Sequence, residues 1–146
     1  MLTNSLVALE AYLVMPIREE VLNWLEEARA DLRHSEASSS LGDYNWSCFA
    51  AHQAAEKALK ALILHVLGEY ARGHDLVKLY SMVKDQVELV LDMADLSRLS
   101  AYYTQARYPN AGIERPSKEI MREQAVEALM IARRILDEVS KIIRDP

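Results

Sequence analysis

The chain has one cysteine, four glycines, four prolines and a single phenylalanine in 146 residues. Each scarcity removes a class of answer. The lone thiol, Cys48, closes no internal disulfide and builds no zinc site by itself, which points to a reducing, cytoplasmic setting. With so little glycine and proline there are few forced turns, and the abundance of alanine, leucine and glutamate favours helix. No glycine-rich phosphate loop is present. Charges interrupt every apolar run well before the ~18 residues that a membrane span needs, so no membrane association is expected. The balance of 17 basic against 22 acidic residues, a net charge of −5, offers no overall positive field for nucleic acid. Any contact with a nucleotide or a nucleic acid must then be a local patch. What is present is ordinary for a folded domain: 51% hydrophobic and 27% charged residues, in a length that suits one domain.

Residues 1–16 are read as an N-terminal arm or short helix. Leu2, Leu6, Leu9 and Leu13 share one helical face, and Pro16 is expected to break or restart the chain. The segment lacks a basic leader and carries Glu10, unlike a secretory signal, and Met15 offers an alternative start. The arm is expected to dock on its own bundle or on a partner subunit. Residues 17–146 read as a helical bundle. Helical spacing of apolar residues runs from 17 to about 40, where Gly42 is placed for a left-handed cap. Asp43 is the expected N-cap of a second helix over 44–67. A short helix over about 75–84 and a longer one over about 88–106 follow. The run RYPNAGIERP, 107–116, reads as loop, and Ser117 is the expected cap of a last helix with Glu119 in its first turn. Nothing alternates as a sheet strand would. The predicted fold is all-α: an antiparallel up-and-down four-helix bundle with one additional short helix.

The second helix is the most informative. Ala51, Ala54, Ala55, Ala58, Leu59, Leu62, Ile63 and Val66 form a greasy side whose alanine centre lets a neighbour approach closely. Beside it runs a polar line of Gln53, Glu56, Lys57 and Lys60. That line reads either as a solvated face or as a groove in which Lys57 and Lys60 meet phosphate or a partner's acids.

The blocks AAHQAAEKALKALIL, GHDLVKLY and LSRLSAYYTQARYPNAG, in that order, resemble the HEPN domain, a nucleotide-binding module of higher eukaryotes and prokaryotes. The resemblance covers about residues 19–143. It implies a small helical bundle that pairs as a homodimer, binds nucleotide and works with a minimal nucleotidyltransferase, in a toxin–antitoxin-like or related system. Some members are ribonucleases that carry an Arg, four to six residues and then a His near the last helices. Here Arg107 stands where the arginine would be, but Gly112, Ile113 and Glu114 occupy the histidine's positions. Arg29 and His34 satisfy the spacing only on the first helix, in the wrong part of the fold. The resemblance therefore implies a non-catalytic module, with no catalytic residue assigned.

The candidate nucleotide contacts are Arg107, Tyr103, Tyr108, Lys57, Lys60 and His74. A guanidinium among tyrosines suits a base and its phosphate, by stacking and charge-assisted bonds. The same tyrosines could equally pack on the bundle with their hydroxyls in water. His74, ahead of Asp75 and a new helix, also reads as a turn residue, and His52 with Glu56 is a four-apart pair able to orient an imidazole. A di-iron bundle would need two Glu-x-x-His repeats, which are missing, so neither a metal nor a cofactor is expected. Two other functions compete: a ribonuclease toxin using a divergent site, and a structural dimerisation or interaction module.

Overall fold

The computed structural model describes the backbone of residues 2–144 and the side chains of residues 17–144. Among the described residues it is all-helical. The elements are α1 (Leu2–Ser40), α2 (Tyr44–Leu67), α3 (Leu76–Ser81), α4 (Met93–Gln105), α5 (Pro116–Glu119) and α6 (Arg122–Ile143). Helix α2 is the axis: it packs on each of the other five. Its alanines explain why it can. Ala51, Ala54, Ala55, Ala58 and Ala61 are all fully buried, and their small side chains admit neighbours on several sides at once. Leu59, Leu62, Ile63 and Leu64 then fill the space toward Leu25, Leu96, Leu99 and Ile135 from α1, α4 and α6.

The α1–α2 crossing is fixed by a reciprocal pair of hydroxyls. Ser35 Oγ donates to the carbonyl of Ser47 and Ser47 Oγ to that of Ser35, each at 2.8 Å and both residues fully buried. Each serine satisfies its hydroxyl on the opposite backbone, which only closely packed helices permit. Cys48, one residue on, is buried in the core, and burial pushes its thiol up to about 12.

Several local expectations need correction. Helix α1 continues through Pro16 as one element, Leu2–Ser40, where a break was expected; the side chains of residues 1–16, and with them the docking of the arm, lie outside the described residues. Gly42 takes the left-handed conformation at φ +81° that lets the chain turn out of α1. Asp43 does precede α2 but makes no side-chain capping bond. Helix α4 starts later than expected, because Asp92 caps it by accepting from Ala94 and Asp95 N–H at 2.7 and 3.3 Å. The residues before it pass over the bundle with Leu89 buried between exposed Glu88 and Val90, a two-residue alternation that helical counting misses. The last helix is split. Ser117 lies inside α5 rather than at a cap, Ile120 is extended and buried, and α6 begins where Met121 N–H donates to Gln124 Oε1 at 2.7 Å.

The loop between α4 and α5 folds back on itself: Asn110 N–H reaches the carbonyls of Ile113 and Glu114 at 3.0 and 3.2 Å. Gly112 sits at φ +102°, and a Cβ there would stand 2.5 Å from Gln105 Nε2. Gly112→Ala is expected to cost about 1–2 kcal/mol, since an L side chain is strained at that φ and Gln105 must also move. Urea unfolding checks this, and an unchanged midpoint would mean that the loop does not need the glycine's conformation.

Candidate functional site

The end of α4 is tied to the start of α2 by one bond, Asn45 Nδ2 donating to the carbonyl of Ala106 at 3.2 Å. This brings the next residue, Arg107, onto the α2 side chain Phe49. The guanidinium carbon lies 4.2 Å from the Phe49 ring centre, 4.6 Å from that of Tyr103 and 4.9 Å from that of Tyr108. Its Nε and one terminal nitrogen donate to the carbonyl of Tyr103, the first at 2.8 Å. The fork is thus aimed by a backbone carbonyl and three rings. Among the described residues nothing bonds its other terminal nitrogen, Nη1. An arginine has five N–H donors in a fixed plane, so an anion still finds a prepared pair.

On the opposite face of Tyr103 lies His74, stacked on the ring at 3.9 Å between centres and 15° between planes. What holds His74 there is Glu56. This side chain belongs to α2 and is only 5% exposed, yet Oε1 meets His74 Nδ1 at 2.7 Å and Oε2 accepts from Lys60 Nζ at 3.2 Å. A carboxylate so deep is tolerable because cationic and ring N–H groups meet both of its oxygens. Beneath lies fully buried His52, whose Nε2 donates to the His74 carbonyl at 2.9 Å while Nδ1 meets the Gln53 amide at 3.1 Å. Burial lowers its pKa below the ordinary histidine value, the bond to the His74 carbonyl opposing. The loop is pinned again where Leu76 N–H donates to Ser100 Oγ of α4 at 3.0 Å.

Four of the expected contacts therefore come together: Arg107, Tyr103, Tyr108 and His74. Tyr103 and His74 also line a cleft of about 540 Å³ with Asp75, Ser97, Ser100 and Gln105. Lys57 and Lys60 do not join them as free cations. Lys57 Nζ pairs with Asp31 of α1 at 2.7 Å; Lys60 is held by Glu56 and lies over Trp24 of α1, 5.9 Å from the ring centre. The two lysines of the polar line thus lie against α1 and are spent on holding the bundle. Glu56 orients His74, from another element, rather than its sequence neighbour His52. Glu56, Phe49 and His52 were not among the candidates. The signal for Glu56 was present, since His52, Leu59 and Ile63 share its side of the helix and all are buried.

A larger groove of about 650 Å³ runs between α4 and α6, lined by Arg98, Arg122, Val126, Met130 and Arg134 among others. It shares no lining residue with the cluster, and Arg98 is already engaged by Asp95 and Glu127. The chemistry concentrates at Arg107 instead. Among the described residues no three of histidine, cysteine, aspartate and glutamate converge as metal ligands. Nor is any helix among them long and apolar enough to cross a membrane.

The sequence matches the HEPN domain over residues 21–142, nearly the whole chain. A protein of Thermus thermophilus, known from its crystal structure, is 39% identical, with a TM-score of 0.72 over 83% of this chain and 96% of that one. An archaeal HEPN homologue is 33% identical, with a TM-score of 0.67 over 84% of this chain and 97% of that one. A HEPN domain protein of Thermotoga maritima, 22% identical, shares the fold with a TM-score of 0.65 over 85% of this chain and 99% of that one. No curated protein matches. The chain belongs to the HEPN domain family.

Glu56→Ala is expected to destabilise the fold by about 3 kcal/mol, because it strands Lys60 and releases His74 together. Glu56→Gln, which keeps the shape and an acceptor toward one of the two partners, should cost less. Chemical denaturation of the pair checks the order, and a Glu56→Ala midpoint equal to wild type would mean that the carboxylate does not hold the cluster.

Proposed function

We propose that this chain is a nucleotide-binding HEPN module, without ribonuclease activity, that acts with a minimal nucleotidyltransferase partner. The observation that carries the reading is Arg107, its fork set by the Tyr103 carbonyl and wedged among Phe49, Tyr103 and Tyr108, with donors left over for phosphate. Tyr108, exposed, or the rim of the Tyr103–His74 stack takes the base. No histidine follows Arg107 after four to six intervening residues, where the loop instead turns at Gly112 and buries part of Ile113, so RNA cleavage by the family's motif is not proposed.

Titration with ATP, GTP, CTP and UTP at low salt is expected to show saturable binding. Arg107→Ala should raise the Kd tenfold or more, and Arg107→Lys should recover only part, since a lysine supplies charge without the fork. Equal affinity in the alanine variant would take Arg107 out of the site. Silence across the panel would remove free nucleotide binding and leave the nucleotidyltransferase partner to be sought by co-purification, whose failure would remove that too.

One observation favours a second reading, a ribonuclease with a divergent site. His74 has its Nδ1 held by a buried carboxylate, its ring is about half exposed and shares Tyr103 with Arg107, and among the described residues nothing meets its Nε2. An imidazole so held has the form of a general base, with a cation across one aromatic ring from it. Incubation of the purified protein with single-stranded RNA decides: cleavage abolished by His74→Ala would establish it, and intact RNA would dismiss it.

A further inference from the structure

A second cleft shares Phe49 with the Arg107 cluster. It measures about 440 Å³ and is lined by Trp46, Phe49, Ala50, Gln53, His34 and Asp31, among others. Phe49 forms its wall toward Arg107, as Tyr103 does for the cleft on the α4 side, and the two rings stand 6.3 Å apart with the guanidinium against both. Trp46 meets Phe49 edge-on at 6.0 Å and 78° and leaves half its surface, 51%, to solvent. Neither cleft has a lysine or an arginine in its lining. Asp75 lies in one, and Asp31 and Asp43 in the other. Arg107 thus rests against one aromatic wall residue of each of two hollows, Phe49 and Tyr103, and each hollow is within the few hundred Å³ that suits a small ligand.

That pattern bears on ligand class. A nucleoside triphosphate carries several negative charges in a row, and beyond Arg107 neither hollow has a second lysine or arginine in its lining to meet such a tail. A ligand with a single phosphate between two nucleosides matches the charge and the shape on both sides. Building on the reading of Arg107 as a nucleotide contact, we propose that the site is two-sided: it takes a dinucleoside monophosphate, with the phosphodiester on Arg107, one nucleoside in the Tyr103–His74 cleft and the other stacked on Trp46. Each aromatic stack onto a base supplies affinity without base identity, so little sequence preference is expected. The same phosphodiester chemistry belongs to a free dinucleotide and to a step within a single strand.

The test compares AMP, ATP, the deoxy dinucleotide d(ApA) and an eight-residue deoxyadenylate strand; the missing 2′-hydroxyl prevents cleavage of the probes. In calorimetric titration d(ApA) should bind at least tenfold more tightly than AMP or ATP. Trp46→Ala should bring d(ApA) down to the AMP level and leave AMP itself unchanged, while Arg107→Ala weakens all of them. Trp46 is exposed, so the variant should keep its Tm. A strand that binds at least as well as d(ApA) identifies the source as single-stranded nucleic acid; a weaker strand identifies a free dinucleotide. Saturable AMP binding that d(ApA) does not improve overturns the two-sided site and leaves Arg107 as a nucleotide contact, whereas the absence of binding by any probe removes both. Trp46→Ala that keeps d(ApA) affinity but converts a dimer to a monomer in light scattering also overturns it, by assigning Trp46 to a subunit contact.

Discussion

A single carboxylate placed where carboxylates rarely go organises the molecule. Glu56 lies in the middle of the most buried helix, and both of its oxygens are committed, one to the His74 ring and one to the Lys60 ammonium. An unpaired charge at that depth would cost several kcal/mol, so the elements carrying its partners are drawn inward with it. The loop before α3 must deliver His74 to the bundle, α4 then lays Tyr103 on the His74 ring, and the carbonyl of Tyr103 sets Arg107. A surface arginine has thereby become the last member of a chain of contacts that begins in the core.

The rings around Arg107 act on that guanidinium in two ways. They restrict its side-chain freedom before any ligand arrives, so less entropy is lost on binding an anion. They also shield it partly from water, which strengthens whatever charge-assisted bond it forms. Charge elsewhere is dealt with locally: Lys57 by Asp31, Arg98 by Asp95 and Glu127, Arg133 by Glu36. Among the described residues, Arg107 is held instead by a backbone carbonyl and three rings, with no carboxylate paired to it.

How much of this was legible in the sequence depended on whether the cause was local. The bounds of α2 and the turn at Gly42 follow from periodicity and from a residue tolerant of positive φ, and both are present as expected. The late start of α4 has a local cause, the Asp92 cap, which helical counting passed over, whereas the split before α6 depends on the buried side chain of Ile120, whose burial is set by distant elements. Arg107, Tyr103 and Tyr108 were legible because aromatic rings and a cation stand within one helical turn and the loop beyond it. Lys57 and Lys60 misled, since a helical wheel shows which residues share a face but not that α1 covers it. The Glu56–His74 contact spans eighteen residues and a loop, beyond the reach of any spacing rule.

The burial of Cys48 has a practical consequence. Reaction with maleimides and disulfide reagents proceeds through the thiolate, and a thiol pushed up to about 12 inside a closed core offers almost none at neutral pH. The native chain is then silent toward such reagents while it stays folded. A cysteine introduced in the exposed loop beside Gly112 would be the one position to take a dye or a spin label. The motion of that loop against the bundle could be followed spectroscopically with the wild-type core intact.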